Sequence, residues 1–164
     1  MKIRTIIVFL ATALSITLLD QISKQAILDS VSLGQVIEVI PDFFNLTLAM
    51  NPGVAFGLFA GLSDGLRIAA LIGTTSLALA VVLYLLFVDY RRDPIGRAAL
   101  ALVLGGAFGN LVDRFRFGRV VDFLDLYLSD YHWPAFNLAD SAICIGVVLL
   151  VIKGVTASKP QQMP

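Results

Sequence analysis

The chain has 164 residues, 58% of them hydrophobic and only 15% charged, whereas soluble domains run at roughly 45–50% apolar and about 25% charged. Twelve basic and twelve acidic side chains cancel, so no cationic excess exists to hold a nucleic-acid backbone, and a mean hydropathy of +0.87 excludes a disordered chain. One cysteine and one histidine rule out an intramolecular disulfide and leave too few soft ligands for a Cys/His zinc site.

A helix crossing a membrane needs about 20 mostly apolar residues, and four stretches supply them. The first, residues 5–24, is uncharged from Thr5 to Leu19 and reaches full length only by continuing through Asp20, Gln21 and Ser23 to Lys24. That puts a carboxylate inside or at the edge of the bilayer. A removable signal peptide is the competing reading, because Lys2 and Arg4 precede the apolar run and Ala11-Thr12-Ala13 imitates a cleavage site. The run before Ala11 is short, and hydrophobicity continues to Leu19, which favours a retained span.

Residues 25–66 are too polar to span. Within them Phe44, Leu46, Leu48 and Met50 alternate with Asn45, Thr47, Ala49 and Asn51, the period of a half-buried strand. Gln35 to Ile40 is its expected partner, with Pro41-Asp42 as the turn; the whole predicts a small sheet over about 35–60 on the outer membrane surface. The second span, 67–88, includes the uncharged run Ile68 to Val88 and is followed at once by Asp89, Tyr90, Arg91 and Arg92. The third, 96–114, runs through Ala98 to Val112 and ends on Asp113 and Arg114. The fourth, 135–153, is broken only by Asn137 and Asp140. Before it, Tyr127, Tyr131, His132 and Trp133 read as an interfacial aromatic belt. The expectation is a mainly α membrane protein: four transmembrane helices, an extracytoplasmic sheet cradle and a short interfacial helix. It forms a single domain over 1–155, with a disordered tail over 156–164.

Charge counting orients this arrangement. The side holding both termini and the 89–97 loop carries seven basic and two acidic residues, the other five basic and ten acidic. The positive-inside rule then makes both termini cytoplasmic. On that topology the awkward polar residues fall at one depth near the extracytoplasmic face: Asp20 ends span one, Asn110, Asp113 and Arg114 end span three, and Asn137 and Asp140 begin span four. Asp122 is carried into the same layer by Val120-Val121 and Phe123-Leu124.

Ionisable groups at such a depth must be paired, solvated or neutral, since exposure to hydrocarbon costs about 2.5–3.5 kcal/mol for Asp at a helix centre. Asn110 and Arg114 lie one turn apart, as do Asp20 and Lys24, and Asn137 and Asp140 share a face. Each set also has a plainer reading. Asp113 with Arg114 reads as an interfacial ion pair, Asp20 with Lys24 as a snorkelling pair, and Asn137 with Asp140 as a helix cap. Asp122 has no such excuse, being flanked by apolar residues with no local partner. Gly105, Gly106 and Gly109 read as close helix packing, and Cys144 as an inert core thiol. The only His lies in the aromatic belt, which disfavours Ser or Cys nucleophiles and a zinc metalloprotease. Paired carboxylates remain: if Asp122 and Asp140 share a site, repulsion keeps one protonated while the other deprotonates a water, with no metal or cofactor.

Five segments then carry a resemblance. Asp20-Gln21-Ile22-Ser23-Lys24, Asn51-Pro52-Gly53-Val54-Ala55-Phe56, Gly105-Gly106-Ala107-Phe108-Gly109-Asn110 with Asp113-Arg114, Val120-Val121-Asp122-Phe123 and Phe136-Asn137-Leu138-Ala139-Asp140-Ser141 together resemble bacterial lipoprotein signal peptidase, signal peptidase II. The resemblance implies an inner-membrane aspartic endopeptidase. Its substrates are prolipoproteins, cut on the N-terminal side of a diacylglyceryl-modified cysteine, and the peptide antibiotic globomycin inhibits it. Asp122 and Asp140 correspond to the catalytic dyad. Asp20, Lys24, Asn51, Gly53, Asn110, Asp113, Arg114 and Asn137 correspond to residues that support the dyad or contact substrate or inhibitor, and membrane lipids are further partners. The alternative is a small transporter or proton-conducting protein using the same carboxylates, which calls for ionisable groups at both leaflets or the midplane rather than on one side.

Overall fold

The computed structural model describes residues 2–53 and 62–157. Its elements are helix α1 (Ile3–Ser30), strands β1 (Val36–Ile40) and β2 (Phe44–Asn51), helices α2 (Asp64–Phe87) and α3 (Pro94–Phe117), strands β3 (Val120–Leu128) and β4 (Tyr131–His132), and helix α4 (Leu138–Ala157). All four helices are long and apolar enough to cross a membrane. Their outward positions carry large apolar side chains, among them Leu10, Leu14, Leu18, Leu77, Val81, Val148 and Val151, as hydrocarbon surroundings require.

The helix in the middle is α3. It packs against each of the other three helices, α1 also touches α4, and α2 contacts no helix but α3 among the described residues. Glycines make this closeness attainable. A Cβ at Gly105 would lie 2.5 Å from the Ala13 carbonyl oxygen of α1, a Cβ at Gly106 would overlap the Ala139 carbonyl of α4, and one at Gly109 would overlap the Asp20 carboxylate. The small-residue face expected from sequence is therefore an interface on two sides at once.

The sheet is antiparallel, ordered β1-β2-β3-β4. The paired strands expected at 35–40 and 44–51 are present as β1 and β2, joined by a turn in which Asp42 takes φ 59°. Two strands were not anticipated. The stretch Val120–Leu128 is β3, paired along β2 with Asp122 opposite Ala49 and Val120 opposite Asn51. Residues 131–132, taken as part of an aromatic belt, form β4, which pairs with the end of β3. Tyr131 and Trp133 are exposed as a belt would have them. Tyr127 and His132 instead stack on each other at 5.0 Å, with Tyr127 donating to Glu38 and His132 Nδ1 bonded to Asp125. No separate interfacial helix occurs among the described residues, and the far end of the expected sheet, 54–60, lies outside them, as does the tail from 158.

Helix ends explain how the sheet meets the bundle. α3 begins with Asp93 capping the Ile95 amide and stops at Gly118, whose φ of 67° suits the left-handed position after a helix. Two residues later β3 starts, so Asp122 lies close to the end of α3. α1 runs past Lys24 to Ser30, carrying the chain from the bundle to the sheet. α4 starts at Leu138 rather than at 135, because Asn137 is its cap: its Oδ1 accepts the Asp140 amide at 2.9 Å, and Asp140 Oδ2 accepts the Asn137 amide at 3.3 Å.

Candidate active site

That cap is also the centre of the polar cluster. The Asn137 side chain is turned into the protein, where its Nδ2 donates to Asp122 Oδ1 at 2.7 Å and to the Val121 carbonyl at 3.2 Å. One residue thus touches both Asp122 and Asp140. Capping and site formation, alternatives in the sequence, are the same structure. The segment before Asn137 is held against β3 by hydrogen bonds exchanged between Phe136 and Leu124, which fixes the start of α4 beside Asp122.

Each carboxylate has its own second amide. Asn51 Nδ2 donates to Asp122 Oδ2 at 2.8 Å, and Asn110 Nδ2 donates to Asp140 Oδ1 at 2.7 Å. Asn51 is oriented by Gly53, whose amide donates to Asn51 Oδ1 at 2.8 Å. Gly53 holds φ 79°, and a Cβ there would lie 2.5 Å from Leu71 Cδ1, so only glycine makes this turn comfortably. Burial, and then the charge of Asp140, push the Asp122 carboxyl up to about 7, against the lowering pull of the Asn51 and Asn137 amides. Both Asp122 oxygens accept an amide proton and keep a further position, enough for one acid proton.

Beneath the pair lies a closed ionic core. Lys24 is 2% exposed and Asp20 and Asp113 are 0% exposed. The ammonium donates to Asp20 Oδ2 and Asp113 Oδ2, both at 2.8 Å, and to Asn110 Oδ1 at 3.0 Å, which uses all three of its protons. The remaining carboxylate oxygens are taken as well. Asp20 Oδ1 accepts the Ala139 amide at 2.9 Å, and Asp113 Oδ1 accepts Gln21 Nε2 at 2.9 Å. Asp113 Oδ2 also accepts the Val121 amide at 3.1 Å. Lys24 is thus no snorkelling side chain, and Asp113 pairs with it rather than with Arg114. The ammonium also fixes the Asn110 amide: with Oδ1 held by Lys24 and by Asn137 Nδ2 at 3.2 Å, only Nδ2 can face Asp140.

Gln21 is the supporting residue that sequence reasoning passed over. It joins Asp20, the Gly109 carbonyl and Asp113, and its signals were its place beside Asp20 in the first segment of the resemblance and a polar amide at the end of an apolar run. A second cluster was also missed: Asn45 Nδ2 and His132 Nδ1 both bind Asp125, at 2.9 Å each. The alternation of β2 marks Asn45 only as lying on the face opposite Phe44, Leu46, Leu48 and Met50.

Arg114 lies apart from the ionic core. Its Nη1 reaches the Asn110 carbonyl at 3.4 Å, its Nε is buried with no acceptor among the described residues, and Asp140 is a charge within its electrostatic reach. It lines a cavity of about 320 Å³ with Asn110, Asp140, Thr74, Thr75 and Ile143. On its other flank Asp140 borders a mainly apolar cavity of about 430 Å³ under β3 and α4, lined by Leu126, Trp133, Phe136, Ser141 and Cys144. A carboxylate at the junction of a polar and an apolar recess can meet a substrate that is part peptide and part hydrocarbon. Among the described residues no group of His, Cys, Asp and Glu has the geometry to hold a metal ion.

Comparison with known proteins agrees with this geometry. Residues 12–156 match the family model described as signal peptidase (SPase) II. The chain is 46% identical over 153 residues to the lipoprotein signal peptidase of Syntrophotalea carbinolica, covering 93% of each chain. It is 45% identical over 156 residues to that of Syntrophus aciditrophicus, covering 95% of this chain and 97% of the other. Among solved structures, one described as a bacterial membrane enzyme determined in meso at 2.3 Å resolution superposes with TM-score 0.80 at 32% identity, covering 96% of this chain and 94% of that one. A second, at 1.9 Å, gives TM-score 0.79 at 33% identity over 89% and 91% of the two chains.

Proposed function

The chain belongs to the signal peptidase II family, and we propose from that membership and the geometry above that it is an aspartic endopeptidase of prolipoproteins. As a lipoprotein signal peptidase it works from within a membrane on four helices. The aspartic reading rests on one observation above all: two carboxyl groups bridged by the single residue Asn137. Asp122 is the group inclined to keep its proton, which leaves Asp140 as the base.

In this mechanism Asp140 takes a proton from water while the water oxygen attacks the scissile carbonyl carbon. Asp122 gives its proton to the carbonyl oxygen, so the tetrahedral intermediate forms without separated charge. Asp140 then gives the proton it took from water to the amide nitrogen, the C–N bond breaks, and a hydroxyl of the intermediate returns its proton to Asp122, leaving a free amino group on the modified cysteine and a new carboxyl terminus on the signal peptide. The Arg114 guanidinium, which lines the polar cavity, and the second Nδ2 proton of Asn51 are the groups available to hold substrate carbonyls. Their loss should weaken cleavage by about tenfold or more, so Asn51→Ala and Arg114→Ala should fall well below Arg119→Ala, whose side chain is exposed. Comparable small losses in all three, measured on purified protein, would reduce the polar ring to an interfacial feature.

The function itself is tested by incubating the purified protein with a diacylglyceryl-modified prolipoprotein and with its unmodified form. Only the modified form should shift on a gel, and globomycin should block the shift. The active site is proposed to face the extracytoplasmic side of the bacterial inner membrane, with residues 1–155 as one domain. Reporter fusions at Asp130 should then appear outside and fusions at Asp93 inside; a cytoplasmic signal at Asp130 would reverse the orientation. The transporter reading loses its footing because the buried ionisable residues gather at the sheet end of the bundle rather than along a path.

A further inference from the structure

At the end of the bundle remote from the carboxylates, five cationic side chains converge on two adjoining cavities. One, of about 280 Å³, lies between α1 and α3 and is lined by Arg4, Thr5, Val8, Phe9, Arg97 and Ala101. The other, of about 440 Å³, is lined by Lys2, Thr5, Arg91 and Arg92. Thr5 belongs to both, so they are two lobes of one recess.

Three features separate this recess from an ordinary basic membrane margin. Orienting a membrane protein requires only a surplus of Lys and Arg near the span ends, whereas these charges line a shared concavity. Of the two acidic residues on this side, Asp93 pairs with Lys153 and caps the Ile95 amide, and Asp89 lines neither cavity. Lys2, Arg4, Arg91 and Arg92 have no ion-pair partner among the described residues, and the first turns of α1 and α3 contain no acid. Finally, the Arg97 guanidinium donates to the Arg91 carbonyl at 3.1 Å, tying the two lobes together, while Val8, exposed on α1, carries the first lobe towards the lipid-facing helix surface.

We propose that this recess binds an anionic glycerophospholipid carrying two phosphates. One phosphate sits between Arg4 and Arg97 and the other among Lys2, Arg91 and Arg92, with an acyl chain along the exposed Val8. Guanidinium groups bind phosphate oxygens in paired hydrogen bonds, and basic pockets between transmembrane helices suit such headgroups. A lipid with one phosphate fills one lobe and leaves the cations of the other unmatched. A choline headgroup adds a positive charge to a site that already holds five.

The test uses the full chain, purified and delipidated, and native mass spectrometry of lipid retained on titration with diphosphatidylglycerol, phosphatidylglycerol or phosphatidylcholine. Diphosphatidylglycerol should be held about tenfold more tightly than phosphatidylglycerol, and phosphatidylcholine least. Arg4→Gln with Arg97→Gln, and separately Lys2→Gln with Arg91→Gln and Arg92→Gln, should each lower retention about tenfold, while Arg119→Gln at the opposite end should not. Cleavage activity in phosphatidylcholine nanodiscs should survive in both multiple variants, reporting that they are folded. If a variant misfolds, the lipid preference of the unaltered protein decides alone. Equal retention of lipids with one and two phosphates, retention undiminished in folded variants, or inorganic phosphate binding as tightly as the lipid would each overturn the proposal.

Discussion

Asp122→Asn and Asp140→Asn should each lower turnover of a modified prolipoprotein by at least about 10²–10⁴-fold, the contribution expected of a positioned acid or base, while leaving the protein folded. Asparagine keeps the size of the side chain and one acceptor oxygen, so each variant retains one of the two N–H donors that its carboxylate accepts. What is lost is ionisation. Groups acting as a unit are strongly non-additive, so the double variant should be scarcely worse than either single one. Cys144→Ala and His132→Ala should remain active, and chelators should have little effect. Near-normal turnover in correctly inserted Asp140→Asn, or abolition by EDTA, would remove the aspartic mechanism.

The same residue makes a stability prediction of definite sign. Burial raises the Asp122 carboxyl from 3.8 to about 7, so the folded chain holds this proton at pH values where the unfolded chain has released it. Its contribution to stability therefore falls as pH rises between those two values and stays low above them. Asp122→Asn has no such titration. Its melting temperature should decline less with pH than that of the parent and exceed it above pH of about 7. Activity should fall over the same upper range as the acid proton is lost, with an apparent value that belongs to the pair rather than to Asp122 alone.

The second large effect concerns Lys24. Lys24→Met leaves Asp20 and Asp113 buried without their counterion, and breaking such a pair costs about 3–5 kcal/mol. Thermal unfolding in detergent should show that loss. Adding Asp20→Asn and Asp113→Asn removes the stranded charges and should restore most of the stability. It should not restore the rate, because the Asn110 amide then loses the ammonium at its Oδ1 and keeps only the longer contact from Asn137 Nδ2, which holds it less firmly towards Asp140. The expected signature is a lowered kcat with little change in KM. Full recovery of kcat would make Lys24 a purely structural counterion.

Much of this architecture was legible beforehand, for physical reasons that differ by element. The spans follow from uncharged runs, and β1 with β2 from strict alternation around a Pro-Asp turn. β3 escaped because its side chains are buried continuously from Val120 to Phe123, Asp122 included, which erases the apolar–polar alternation that marks a half-buried strand. The Asp113–Arg114 pairing failed because neighbours on a helix point in different directions, whereas Lys24 approaches Asp113 from another helix. Asp122 stood out for the converse reason: nothing near it in sequence could satisfy it, so its partners had to come from β2 and from the start of α4.

The recesses flanking Asp140 have a consequence for how rate should be measured. α3 and α4, which carry Asn110, Arg114 and Asp140, are long and apolar enough to cross a membrane, so the enzyme and a lipid-modified substrate meet by diffusing in the plane of the lipid. The relevant concentration is then molecules of substrate per lipid, not per volume of buffer. Diluting a proteoliposome suspension should leave the fraction cleaved per minute unchanged, whereas fusing the same vesicles with empty ones should slow it as the substrate thins out in two dimensions. Two-dimensional encounter also means that a weak intrinsic affinity suffices, because confinement to a thin layer has already removed one translational degree of freedom before the partners touch.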